Sequence, residues 1–167
     1  HTRIACIHGA LYPIQRDSLT YEETFQFNIW KKRTEGFQSV MREAGLPDHY
    51  LYQGRGFGDV TLTNLAIDQM FAEKERPTAL YCENDFMAMT AIGVLQERGV
   101  RIPEDMAVIG HDGLEFYRIV HPYLTTIAQP RYQLGKTAAE TLVQCIEKKK
   151  EKVNLVLPPS VQEGETT

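Results

Sequence analysis

Apolar residues in this chain follow two alternating rhythms. Arg3–His8, Tyr50–Gln53, Ala79–Cys82, Met106–Gly110, Leu124–Gln129 and Val153–Leu157 are short, mostly apolar runs of strand length. Between most of them lie longer stretches whose apolar residues recur every three or four positions, the period of a helix with one buried face. Trp30–Ala44 spaces Phe37, Val40 and Met41 in that way and stops at Gly45. Leu62–Lys74 sets Leu65, Ala66, Met70 and Phe71 on one side. Phe86–Glu97 does the same with Met87, Ala91, Val94 and Leu95, and Tyr132–Lys148 with Leu134, Ala138, Leu142 and Cys145. This alternation predicts an α/β fold: an open, mostly parallel sheet with helices on both faces.

The clearest stretch is Thr78 to Gly113, which reads as strand, helix, strand. Asn84 and Asp85 are N-cap residue types ahead of the helical pattern, with Asp85 the expected cap. Gly99 follows the last turn as a C′ glycine would, and Pro103 fixes the turn into the next strand. Two strands joined by one crossover helix should be parallel and adjacent. Both carry polar residues just past their C-terminal ends: Glu83, Asn84 and Asp85 after the first, His111 and Asp112 after the second. Ligands of open α/β sheets bind beyond that edge.

The same stretch carries a resemblance. Asn84-Asp85, Met87-Ala88, Gly99, Ile102-Pro103, Asp105-Met106, Val108, Gly110 and His111-Asp112-Gly113 stand in the register of one pattern. It is that of the lac-repressor-type (LacI/GalR) transcription regulators, N-D-x-M-A and then G-x-x-[IV]-P-x-D-[IV]-x-[VI]-x-G-[FY]-D-D. Arg33 with Gly36-Phe37, Glu43 to Pro47, Thr125-Thr126-Ile127, Gln129-Pro130, Gly135 and Leu157-Pro158-Pro159 extend the likeness along nearly the whole chain. Two positions depart from it: His111 replaces an aromatic, and Gly113 replaces the second aspartate.

That resemblance implies a periplasmic-binding-protein-like type I lobe of Rossmann-like build. Residues 1–167 would form a fragment of an effector-binding domain, with a second lobe at 1–123 and 150–167. A crossover helix at 130–148 would belong to a largely absent first lobe, and a helix-turn-helix to a domain outside this chain. Arg33, Asn84 and Asp112 match positions that contact the effector in many relatives. Gln129 lies near a crossover, and Phe57 would offer a ring for a sugar to stack on. The implied partners are a small sugar-like effector and a second copy of the chain. Met87, Ala91, Ile92 and Leu95 are the candidate dimer residues, and plain core packing competes for them.

The residue types support the same site. A sugar or polyol needs rigid, convergent hydrogen-bond groups beside an apolar face. Carboxylates accept from hydroxyls, arginine donates in a fixed fork, and asparagine does both. Simpler roles compete: Asn84 as a helix cap, Asp112 satisfying turn amides, and Arg33 paired with Glu35, Glu43 or Asp112.

Composition narrows the function further. With 43% apolar and 24% charged residues the chain is ordinary for a globular domain. A net charge of −4 and a pI of 5.7 argue against a surface that grips a nucleic-acid backbone. No run approaches the ~18 apolar residues of a membrane span. Cys6, Cys82 and Cys145 sit in apolar settings and read as reduced thiols, which points to the cytoplasm. The glycine cluster Gly54–Gly58 lacks a phosphate-loop pattern. No nucleophile elbow, metal-ligand spacing or cofactor motif appears, so an enzyme is not expected. The expected function is the ligand-sensing domain of a bacterial transcription regulator. The alternatives are a periplasmic sugar-binding protein of a transport system and a doubly wound nucleotide-binding enzyme. The aromatic-rich segment from Ala10 to Asn28 reads as a surface excursion or a lid on the cleft.

Overall fold

The computed structural model of the chain describes residues 1–9, 29–54, 59–115, 119–147 and 154–167. The segment from Ala10 to Asn28, Phe57 with most of its glycine cluster, and the second half of the helical turn expected at Leu114–Tyr117 lie outside the described residues.

Among the described residues the elements are, in order, β1 (Ile4–Gly9), α1 (Ile29–Glu43), β2 (Leu51–Gly54), α2 (Val60–Ala72), β3 (Ala79–Cys82), α3 (Asp85–Glu97), β4 (Ala107–Asp112), β5 (Thr125–Ala128), α4 (Arg131–Ile146) and β6 (Ser160–Gln162). One six-stranded sheet runs β2-β1-β3-β4-β5-β6. Its first five strands are parallel, and β6 joins β5 antiparallel. The strands of the Thr78–Gly113 unit are neighbours, with Ala79 opposite Ala107 and Tyr81 opposite Ile109.

Side chains alternate across the sheet because a strand turns successive residues to opposite faces. Ala5, Ile7, Leu80, Cys82 and Val108 point to one face and form the main core with α2 and α3. Met87, Ala91, Ile92 and Leu95 belong to that core, each no more than 2% exposed. They are therefore not the surface through which a second copy would dock. Burying side chains such as Met87, Ile92 and Leu95 contributes about 1.5–3 kcal/mol each. The apolar stripe of α3 is spent on the sheet and on α2. Phe86, 42% exposed, stands on the outward side of the same helix.

The opposite face carries Ile4, Tyr81, Ile109 and Ile127, with Phe37, Val40 and Met41 of α1 beside it. Cys6 and Cys82 are buried free thiols, and burial pushes both well above the ordinary thiol range. They are inert packing groups rather than nucleophiles.

Two elements differ from expectation. The last strand is Ser160–Gln162, while the described part of the expected strand, 154–157, is not a strand. Leu155 and Val156 face water, Val156 at 87% exposure, while Leu157 is half-buried against the groove. Pairing resumes only after Pro158 and Pro159, which have no N–H to donate to a ladder. The helix α4 forms as its spacing predicts, yet buries none of its residues.

Candidate functional site

Parallel pairing brings the C-terminal ends of β1, β3, β4 and β5 to one rim, and α1 and α3 begin beside it. Asn84 is the N-cap of α3: its Oδ1 accepts the Met87 amide at 2.8 Å. Asp85, the residue expected to cap, has another task. Its carboxylate is buried and accepts from the Thr126 hydroxyl on β5 at 2.5 Å and from the Leu114 amide at 2.7 Å. Asp85 thus pins the loop after β4 to the start of α3, and burial raises its pKa against those two bonds. Gly110 makes the approach possible, because a Cβ there would stand 2.5 Å from Asp85 Oδ1.

Three of the expected contact residues converge. Arg33 Nη2 donates to Asp112 Oδ1 at 2.7 Å, and Gln129 Nε2 donates to the same oxygen at 2.8 Å. Arg33 Nη1 donates to the backbone carbonyl of Glu83. The Arg33 side chain is only 9% exposed, against 24% for Asp112. Of the ion-pair partners the sequence offers Arg33, the structure selects Asp112. Asp112 also has a φ of 116°, in the left-handed region that an L side chain rarely adopts. Such a conformation costs of order 1–3 kcal/mol and persists only where the surroundings impose it. Here Arg131, at the start of α4, donates to the carbonyls of Asp112 and Gly113. Gly113 follows with a φ of 69°, and a Cβ there would lie 2.5 Å from the Ala128 Cβ. No aspartate fits at 113 with this backbone, which accounts for one of the two departures seen in the sequence.

The other departure, His111, packs on the sheet face. Tyr81 Oη and His111 Nδ1 are 3.0 Å apart, and the Tyr81 ring stacks on Phe37 at 5.9 Å. Burial, followed by the charge of Arg33, lowers the His111 pKa to about 4, so the ring is neutral. Burial pushes the Tyr81 phenol up. Arg33, His111 and Gln129 line one end of a groove of about 860 Å³, whose floor and walls include Phe37, Tyr81 and Ile127.

Glu83 was not singled out by sequence reasoning, although it is central here. Its side chain is fully buried. Oε2 accepts the Gly9 amide at 2.9 Å, and Oε1 meets the Thr34 hydroxyl. Burial raises its pKa to about 7, opposed by those two bonds and by the charge of Arg33. Its signal in the sequence was a carboxylate directly after a buried strand, which reads equally as a strand end.

The arrangement offers a fixed guanidinium and a carboxamide, each within bonding distance of one carboxylate oxygen. A ligand hydroxyl can accept from Arg33 and donate to Asp112, replacing their direct contact. Among the described residues no group of three or more His, Cys, Asp or Glu side chains is placed to hold a metal ion. Among them, too, no helix is long and apolar enough to cross a membrane.

The periplasmic binding protein-like domain family matches this chain over residues 1–167. The chain is 39% identical over 151 residues to the HTH-type transcriptional repressor PurR of Aliivibrio fischeri, covering 89% of this chain and 41% of that repressor. The lac repressor dimer, solved bound to operator and the anti-inducer ONPF, matches with a TM-score of 0.79 at 27% identity. That match covers 100% of this chain and 53% of the other. A LacI family transcriptional regulator from Enterococcus faecium with bound ribose gives a TM-score of 0.75 at 26% identity, covering 100% and 57% of the two chains. The chain therefore spans less than half the length of the curated repressors it matches.

Proposed function

This chain belongs to the periplasmic binding protein-like family, among the LacI-type transcription regulators, and on that premise we propose that it senses a small effector for a bacterial repressor. The effector is a sugar or sugar derivative held at the rim, between this lobe and a first lobe. Arg33, Asp112 and Gln129 are its polar contacts, and Asn84 at the same rim is a fourth. The observation that carries this reading is the shared Asp112 oxygen, which accepts from Arg33 and Gln129 at once. A sugar is favoured over an anion because the Arg33 fork is already neutralised by Asp112. Ribose in the Enterococcus faecium regulator is consistent with that chemistry.

Binding would favour one arrangement of the lobes, and a DNA-binding domain outside this chain would read it. Such coupling is typically about 1–3 kcal/mol and requires contacts that differ between two states. The crossover helix offers a route. Arg131 joins α4 to the backbone of Asp112, so a ligand that moves Asp112 acts on α4 directly. Leu142 and Ile146 of α4 are exposed, at 61% and 70%. A bare apolar stripe of this kind fits a helix that packs on another lobe. We read residues 1–123 and 150–167 as the second lobe and 130–148 as part of the first. Residence in the cytoplasm and homodimerisation through this lobe complete the proposal, since the lac repressor was solved as a dimer on its operator.

The test is calorimetric binding of a panel of aldoses, polyols, disaccharides and free nucleobases to the intact protein. Saturable binding of a sugar, weakened at least about tenfold by Arg33→Ala and by Asp112→Ala, is the expected result. Binding of a nucleobase alone would refute the sugar, and unchanged affinity in both variants would refute the site.

A further inference from the structure

Glu83 does not line the groove, and its carboxylate spans two elements. One oxygen accepts the Gly9 amide at the end of β1, and the other meets the Thr34 hydroxyl on α1. The residue before Thr34 is Arg33, whose Nη1 is held by the carbonyl of Glu83 itself. Glu83 thus fastens α1 to the sheet at the point from which Arg33 reaches Asp112.

Hydrogen counting shows that the cage accepts two protonation states. The Thr34 hydroxyl carries one hydrogen but has two acceptors in reach, Glu83 Oε1 and the Trp30 carbonyl at 3.0 Å. With Glu83 ionised, the hydroxyl donates to the carboxylate and forgoes Trp30. With Glu83 protonated, the acid donates to Thr34, Thr34 donates to Trp30, and the Gly9 amide keeps its acceptor. The two forms share one geometry and differ by a proton and a charge beside Arg33. The side chain's burial, partly offset by Thr34, Gly9 and Arg33, brings its titration to about 7.

We propose that Glu83 is a proton-linked positioning residue: it exchanges a proton with solvent while tying Gly9 to Thr34, and the charge it gains or loses resets the hold of Arg33 on Asp112. Among the described residues, the titratable groups around Glu83 and its partners are Arg33 from α1, Cys6 and His8 from β1, and Tyr81 and Cys82 of the strand it follows; Asp85 of α3 acts on Cys82, and the His8 ring meets the Gly9 carbonyl, its pKa lowered by burial. Asp112 and His111 of β4 act through Arg33. Tyr81, Cys6 and Cys82 are pushed up by burial and stay neutral across the working range. Arg33 is thus the cation and Glu83 the acid that changes charge near neutrality. Functional relevance rests on reading Arg33 as an effector contact.

The experiment is a heteronuclear NMR titration of the full chain, without effector, from about pH 5 to about pH 9. The resonances read are the Gly9 amide and the Arg33 Nε–H. Both should shift together with a midpoint near 7. In Glu83→Gln, whose side-chain carbonyl accepts from Gly9 and whose NH2 donates to Thr34 as the protonated acid would, the step near 7 should vanish from both signals, leaving at Gly9 only the lower step of the neighbouring His8. A Glu83-dependent Gly9 midpoint in the ordinary carboxylate range overturns the proposal, as does a step near 7 that survives in Glu83→Gln. A Gly9 shift near neutrality with a flat Arg33 signal also overturns it, leaving a buried acid without reach to the guanidinium. If Glu83→Gln does not fold, the Glu83 carboxyl carbon in the unmodified chain decides by whether its midpoint coincides with that of Arg33. No effector is present, so a negative outcome leaves the effector site standing, and that site is tested separately by binding.

Discussion

Arg33 Nη2 donates to Asp112 Oδ1 across 2.7 Å, joining residues 79 positions apart. The bond ties the start of α1 to the end of β4. It also presents a donor and an acceptor at one point of the rim, already oriented and largely out of water. Pre-ordering of this kind lowers the entropy lost when a ligand binds.

Arg33→Ala should therefore cost stability as well as binding. A hydrogen bond to a charged group is worth about 1.5–3 kcal/mol, and the variant leaves the Asp112 carboxylate, among the described residues, with its bond from Gln129. The urea midpoint should fall by an amount in that range. Arg33→Lys should recover less than half of the loss, because an ammonium lacks the fork that serves Asp112 and the Glu83 carbonyl together.

The φ of 116° at Asp112 separates backbone from side chain. Asp112→Ala and Asp112→Gly both remove the carboxylate, but only glycine adopts that backbone freely. Chemical denaturation should find the glycine variant more stable than the alanine variant by about 1 kcal/mol. Equal stabilities would mean that the strain is absent in solution.

Gly113→Asp would match the pattern that the sequence resembles, yet it should destabilise this chain. The new Cβ would meet the Ala128 Cβ at 2.5 Å and its Cα at 2.6 Å. We expect a loss of at least about 2 kcal/mol by urea unfolding, from overpacking and strained φ together. Gly113→Asp combined with Ala128→Gly should recover part of it.

Glu83 sets the sign of a pH effect. Its folded value near 7 lies above the ordinary 4.5, so the folded state holds the proton more tightly. Its contribution to stability is complete below the unfolded value and is lost as pH rises through the folded one. Between these limits stability should fall by at most about 1.4 kcal/mol per pH unit. Glu83→Gln should flatten that part of the curve. Asp85, also raised by burial, leaves a residual slope of the same sign.

The fold was largely legible because each strand is a short apolar run and each helix keeps its three-to-four spacing. The convergence of the candidate site was legible where chemistry and position agreed. Arg33, Asp112 and Gln129 are polar residues at strand ends or a helix start, and parallel pairing brings such ends together. The period of Met87, Ala91, Ile92 and Leu95 shows that α3 buries a face, but a period cannot tell a sheet from a second subunit. Whether Asn84 or Asp85 would cap α3 was hidden because both residue types suit the position, and Thr126, which claims Asp85, lies 41 residues away. Glu83 escaped for the same reason: its partners Gly9 and Thr34 lie 74 and 49 residues away. The displaced last strand reflects the same limit, since 154–157 has the apolar content of a strand but pairs with none among the described residues.

The most direct measurement is calorimetric titration of the intact protein and its Asp112→Ala variant with the sugar that binds best in the panel. The expected result is a single site in the unmodified protein and at least about a tenfold loss of affinity in the variant, or about 1.4 kcal/mol. Equal affinity for that sugar in the two proteins would contradict the assignment of the Arg33–Asp112–Gln129 rim as the effector site.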